Sequence, residues 1–162
     1  MRNSILTLMI LVLVASIAYA GMAMPGTDGG ELYKYITETS RYTNWELWPG
    51  KGKLYKGTEP HGVFLTTYVN AEAIKSLGMG KHVFMPGSII AKENYSPKKQ
   101  YMALTVMYKV KGYNPDAGDW FWVKYSPDGT VLKEGKVKGC IKCHSQAKDN
   151  DYNRTDAKAG KM

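Results

Sequence analysis

Cys140-Ile141-Lys142-Cys143-His144 contains the only two cysteines of this 162-residue sequence. Two thiols separated by two residues and followed at once by histidine is the spacing of a c-type haem attachment site. The thiols add across the two vinyl groups of the macrocycle, and the imidazole that follows reaches the iron as proximal ligand. A redox dithiol or half of a zinc site would use the same cysteines. The dithiol has no need of the histidine, and zinc would require a fourth ligand from His61 or His82 at no recognised spacing. Cys140, Cys143 and His144 are therefore read as the covalent site of one haem c, with His144 as the metal ligand.

The other end of the chain is written for export. Arg2, an apolar run from Ile5 to Ala18 and the triplet Ala18-Tyr19-Ala20 form the basic, hydrophobic and cleavage regions of a secretory signal peptide. The run is about 14 residues, short of the roughly 20 that a membrane span requires. Residues 1–20 are expected to be removed, leaving a soluble periplasmic protein. The formal charge of +8 loses Arg2 with the leader and becomes +7. The lysines are scattered without an arginine cluster, which argues against nucleic acid and for a solvated surface that steers towards an acidic redox partner.

The elements that must position the motif follow from periodicity and turn residues. Residues 21–30 are glycine-rich and read as a flexible lead-in. Asp28 caps a helix over about 31–39, with Leu32, Tyr35, Ile36 and Thr39 on one face. A short helical piece carries Arg41, Trp45 and Trp48 up to Pro49-Gly50. Val63 to Val69 alternates as a strand, Asn70 caps a short helix over 71–77, and a second strand runs over about 88–95. Tyr101 to Lys111 is the clearest strand, with Met102, Leu104, Val106, Tyr108 and Val110 assigned to its inner face. Trp120 to Tyr125 and Thr130 to Glu134 form a hairpin across Pro127-Asp128-Gly129. Residues 154–162 read as a disordered tail. The fold class is α+β: an antiparallel sheet with helices on one face and the haem between them.

Four blocks carry a resemblance: Thr58 to Ala71 (TEPHGVFLTTYVNA), Gly87 to Asn94 (GSIIAKEN), Met107 to Tyr125 (MYKVKGYNPDAGDWFWVKY) and Cys140 to Tyr152 (CIKCHSQAKDNDY). Over residues 31–153 the chain resembles the cytochrome P-460 family, whose relatives include the cytochromes c′-β. The resemblance implies a β-rich periplasmic monohaem protein, often a homodimer, with five-coordinate iron and a soluble c-type cytochrome as redox partner. Some members oxidise hydroxylamine and nitric oxide. Others only bind nitric oxide or carbon monoxide.

The resemblance also implies roles. In the hydroxylamine-oxidising members a lysine is bonded to a porphyrin meso carbon, and Lys75, 65 residues before Cys140, is matched to it. Its amine would have to be neutral to react, so burial must lower its pKa from about 10.4. Arg41 is matched to a distal-pocket arginine. The oxidising members keep a carboxylate above the iron to accept protons; Tyr101 to Lys111 has no acidic residue, and Glu93 on the preceding strand is the substitute, with Glu46, Glu59 and Glu72 behind it. Arg41 and Glu93 are thus the expected catalytic residues for a small nitrogen-oxide substrate. The side chains able to fill a sixth iron position, which would make an electron-transfer cytochrome, are His61, His82, Met79, Met85, Met102 and Met107. His61, between Pro60 and Gly62, reads as a turn residue, and the methionines read as core.

Overall fold

The computed structural model describes residues 23–58, 60–79 and 83–155. The expected leader, Glu59 and His82 lie outside these, as do residues 156–162. Among the described residues no helix is long and apolar enough to cross a membrane.

The protein is α+β. Strands β1 (Glu46–Leu47), β2 (Tyr55–Lys56), β3 (Phe64–Val69), β4 (Ile89–Tyr95), β5 (Tyr101–Lys109), β6 (Trp120–Tyr125) and β7 (Val131–Gly135) form one antiparallel sheet. Its order is β1-β3-β4-β5-β6-β7, with β2 also paired to β3. Helix α1 (Gly29–Lys34) starts where Asp28 accepts the Glu31 N–H at 2.9 Å, then widens into a π-helical stretch over Tyr35–Thr39. Helix α2 (Ala71–Gly78) is capped by Asn70, which accepts from Ala73 N–H at 3.1 Å and also from Ile89 N–H at 2.9 Å. One asparagine thus sets both the helix start and the register of β4. Helix α3 (Lys138–His144) carries the cysteine motif and runs into a 3-10 stretch, Ser145–Asn150.

The sheet is packed on both faces. On one, Leu32 and Ile36 cover Ile89, Ala91, Leu104, Val106, Tyr108, Phe121, Val123 and Tyr125. On the other, α2 and α3 bring Ala73, Ile74, Leu77, Cys140 and Ile141 against Ile90, Met107, Trp120 and Trp122. Burying both faces removes the polar side that would have told inside from outside. The face of β5 assigned as inner is the α1 face, and Met102 is 54 % exposed. The motif faces the alternate residues Ala103, Thr105 and Met107.

The remaining departures are local. Arg41 to Trp48 is a single 3-10 turn (Tyr42–Asn44) leading into β1 rather than a helical piece. The lead-in lies along the sheet, with the Pro25 carbonyl accepting from Tyr108 OH at 3.0 Å. Thr155, expected in the tail, is buried.

Candidate functional site

Helix α3 lies at the mouth of a cavity of about 490 Å³ between itself and the sheet. Cys140, Cys143 and His144 line it together, and neither cysteine is in a disulfide. The sheet supplies Lys92, Asn94, Thr105, Met107 and Trp122, and the loop before β3 supplies His61. A smaller recess of about 200 Å³ shares His61, Lys92, Cys143 and His144 and adds Arg154.

His144 is held from two sides. Its Nδ1 lies 2.7 Å from the Tyr152 carbonyl, which can only accept, so Nδ1 carries the hydrogen and Nε2 keeps the lone pair that a metal needs. Trp122 packs against the ring at 4.6 Å between centroids. Burial, only partly offset by the Tyr152 bond, lowers the His144 pKa to about 4, so the ring is neutral at neutral pH.

Tyr152 is placed in turn by a buried cluster that sequence inspection missed. Lys109 Nζ donates to both carboxylate oxygens of Asp151 at 2.7 Å, Phe84 N–H donates to Asp151 at 2.7 Å, and Trp120 Nε1 donates to the Asp151 carbonyl at 2.8 Å. Asp151 and Tyr152 both take left-handed backbone (φ 50° and 62°), which turns the chain back under His144. The one sequence signal was a lysine at an inward position of an apolar strand. Its partner is 42 residues away.

The other expected residues are not gathered at the motif. Lys75 is exposed on α2 and does not line the cavity. Three lysines do, Lys92, Lys124 and Lys133, and of these Lys92 alone is not exposed; its Nζ donates to Thr155 at 3.2 Å and has no carboxylate partner among the described residues. Burial lowers its pKa to about 8, the property asked of Lys75. Arg41 is exposed and begins the 3-10 turn, away from the cavity. The arginine at the motif is Arg154, which donates to the Cys143 carbonyl at 2.9 Å and to Gln146 at 2.7 Å.

Glu93 lies beneath the sheet, on the α1 face. It accepts from Tyr42 OH at 3.1 Å and Tyr95 OH at 2.8 Å, and burial, joined by the charge of Glu93, raises the pKa of both phenols. Neither Glu46 nor Glu72 lines the cavity, and among the described residues no carboxylate does. Phe64, Phe84 and Phe121 are absent from its wall as well.

The sequence matches the cytochrome P460 family over residues 39–153, most of the chain. The chain belongs to that family. No curated protein matches it. The family is one of haem c proteins, so the chain is a c-type cytochrome and its cofactor is haem. The site suits that group chemically. The cavity presents an apolar wall, a metal-ready imidazole and two thiols. Among the described residues it also holds a lysine with no carboxylate partner and a buried Trp122 Nε1 with no hydrogen-bond partner, polar atoms that a bound group could meet.

Proposed function

We propose that this c-type cytochrome is exported to the periplasm, carries one haem on Cys140 and Cys143 with His144 as proximal ligand, and oxidises small nitrogen oxides such as hydroxylamine and nitric oxide. The haem supplies the redox chemistry, and the chain's residues set ligand basicity, access and proton transfer. The observation that carries the reading is Lys92: a cavity lysine with no carboxylate partner among the described residues and a pKa lowered to about 8. It takes the place given to Lys75 as the amine bonded to the porphyrin in the oxidising members of the family. With Lys92 so used, the proton acceptor among the described lining residues is the neutral His61 ring rather than a carboxylate. Electrons leave to a soluble c-type cytochrome, and the assembly is a homodimer.

Lys92→Arg is expected to abolish the haem-to-lysine link and hydroxylamine turnover, and Lys75→Arg to leave both intact. Mass spectrometry of the haem peptide reads the link, and nitrous oxide release with an added electron acceptor reads the turnover. Because the amine must be neutral, the link should form about tenfold more slowly for each pH unit below about 8. A link that survives Lys92→Arg, or forms at a pH-independent rate, removes Lys92 from this role.

The lack of a carboxylate among the described lining residues favours a second reading, a cytochrome c′-β-like binder of nitric oxide or carbon monoxide. It predicts reversible binding with no nitrous oxide from hydroxylamine.

A further inference from the structure

The smaller recess beside the cavity is lined by Lys51, Lys56, Lys92 and Arg154, and its described lining residues include no carboxylate. The one ion pair among the described residues joins Lys109 to Asp151, so none of these four cations has an acidic partner there. Thr58 and Pro60 line the recess too, and Glu59 between them lies outside the described residues.

Three of the cations are held in place by other parts of the wall. Lys51 Nζ stands 5.5 Å from the centre of the Tyr55 ring, and the Tyr55 hydroxyl is tied to Thr67 Oγ1 at 2.7 Å. Arg154 uses Nη1 to donate to the Cys143 carbonyl at 2.9 Å and to Gln146 at 2.7 Å, which leaves its Nη2–Nε edge for another acceptor. Lys92 Nζ donates to Thr155 at 3.2 Å. Lys56, exposed, completes the set.

Nothing else described in the wall offsets this charge. The His61 ring is neutral, because burial, followed by the charge of Lys92, lowers its pKa to about 4. A Lys92 bonded to the porphyrin no longer counts as a cation, and Lys51, Lys56 and Arg154 still do. Cations of one sign around a concavity focus a field that draws in an anion. The recess holds about 200 Å³, room for a small ion or one carboxylate arm and not for a nucleotide. One edge of a guanidinium presents two parallel donors, which favours a flat group with two oxygens.

We propose that this recess binds a small planar oxyanion through Lys51, Lys56 and Arg154, beside the iron position and not on it. The recess and the cavity share His61, Lys92, Cys143 and His144, so the bound anion lies next to whatever occupies the cavity. Two sources carry this chemistry, a free ion such as nitrate or nitrite and a propionate arm of the haem. The site depends neither on the reaction performed at the iron nor on the link to Lys92.

The test uses the ferrous holo-protein with carbon monoxide on the iron, so that an added anion cannot ligate it. Calorimetric titration with nitrate at fixed ionic strength should show one site in the wild type. Lys51→Gln and Arg154→Gln should each weaken that site about tenfold, the scale of a hydrogen bond to a charged group. Arg154→Lys should recover part of the loss. Lys75→Gln, at a lysine that lines neither recess nor cavity, should leave it unchanged. Carbon monoxide binding rates should match the wild type in all of them, because that ligand is uncharged and the fold is kept. If a propionate fills the recess, nitrate does not bind the wild type. Lys51→Gln and Arg154→Gln then raise the pH at which the haem carboxylate titrates by about one unit, read from the pH dependence of the reduction potential, and this supports the proposal equally. The absence of both effects overturns it. Nitrate binding weakened as much by Lys75→Gln overturns it in favour of diffuse surface charge, and binding seen only in Glu59→Gln overturns it in favour of an internal counter-ion. A preparation without covalent haem overturns the haem reading alone: nitrate binding lost in Arg154→Gln still supports the recess, and no nitrate binding overturns it.

Discussion

Adjacent side chains on a strand point to opposite faces, and on β4 this places Lys92 in the cavity and Glu93 beneath the sheet with Tyr42 and Tyr95. A carboxylate separated from the site by a sheet does not accept protons released in it. Glu93→Gln should leave nitrogen-oxide chemistry and carbon monoxide binding unchanged. It should cost about 1–3 kcal/mol of stability through its weakened bonds to the two phenols, read as a lower denaturation midpoint. Altered ligand kinetics at unchanged stability would reverse that assignment. The motif residues were legible because their chemistry is local: three side chains within five positions. Lys75 was matched by its place on the helix and its spacing from Cys140, and spacing along a chain does not say which side of an element faces the cavity.

At the scale of elements, alternation, caps and turn residues specified the strands and helices well. Asp28 and Asn70 start their helices as expected, and the β6–β7 hairpin turns where Pro127-Asp128-Gly129 is written. What alternation could not give was the identity of each face, because β5 is apolar on one side and cavity-lining on the other. The long-range clamp was equally hidden. Lys109 and Asp151 form a buried ion pair joining β5 to the segment after α3, and removing one partner leaves a charge without compensation. Asp151→Ala should destabilise the protein by about 3–5 kcal/mol, measured by chemical denaturation of the holo-protein. A loss below about 1 kcal/mol would mean that the pair is solvated and does not hold Tyr152.

For the molecule as a whole, Lys124, Lys133, Lys138 and Lys142 stand exposed around the motif, while the carboxylates Glu93 and Asp151 are buried elsewhere. These four lysines give the surface around the motif a basic character. The rate of exchange with an acidic redox protein should fall as ionic strength rises from about 10 mM to about 150 mM, where the screening length shrinks from about 30 Å to about 8 Å. A rate indifferent to salt would place the docking face elsewhere. The clamp at Asp151 and Tyr152 bears also on the order in which the protein is made. The carbonyl that orients His144 comes eight residues after it, and the charge that fixes this carbonyl comes from a strand laid down much earlier. A chain that has emerged only as far as His144 presents a finished attachment signal with nothing behind the imidazole. If haem is joined at Cys140 and Cys143, attachment to an incomplete chain and orientation of the His144 ring would be separable events, the second waiting until the final segment closes over Lys109.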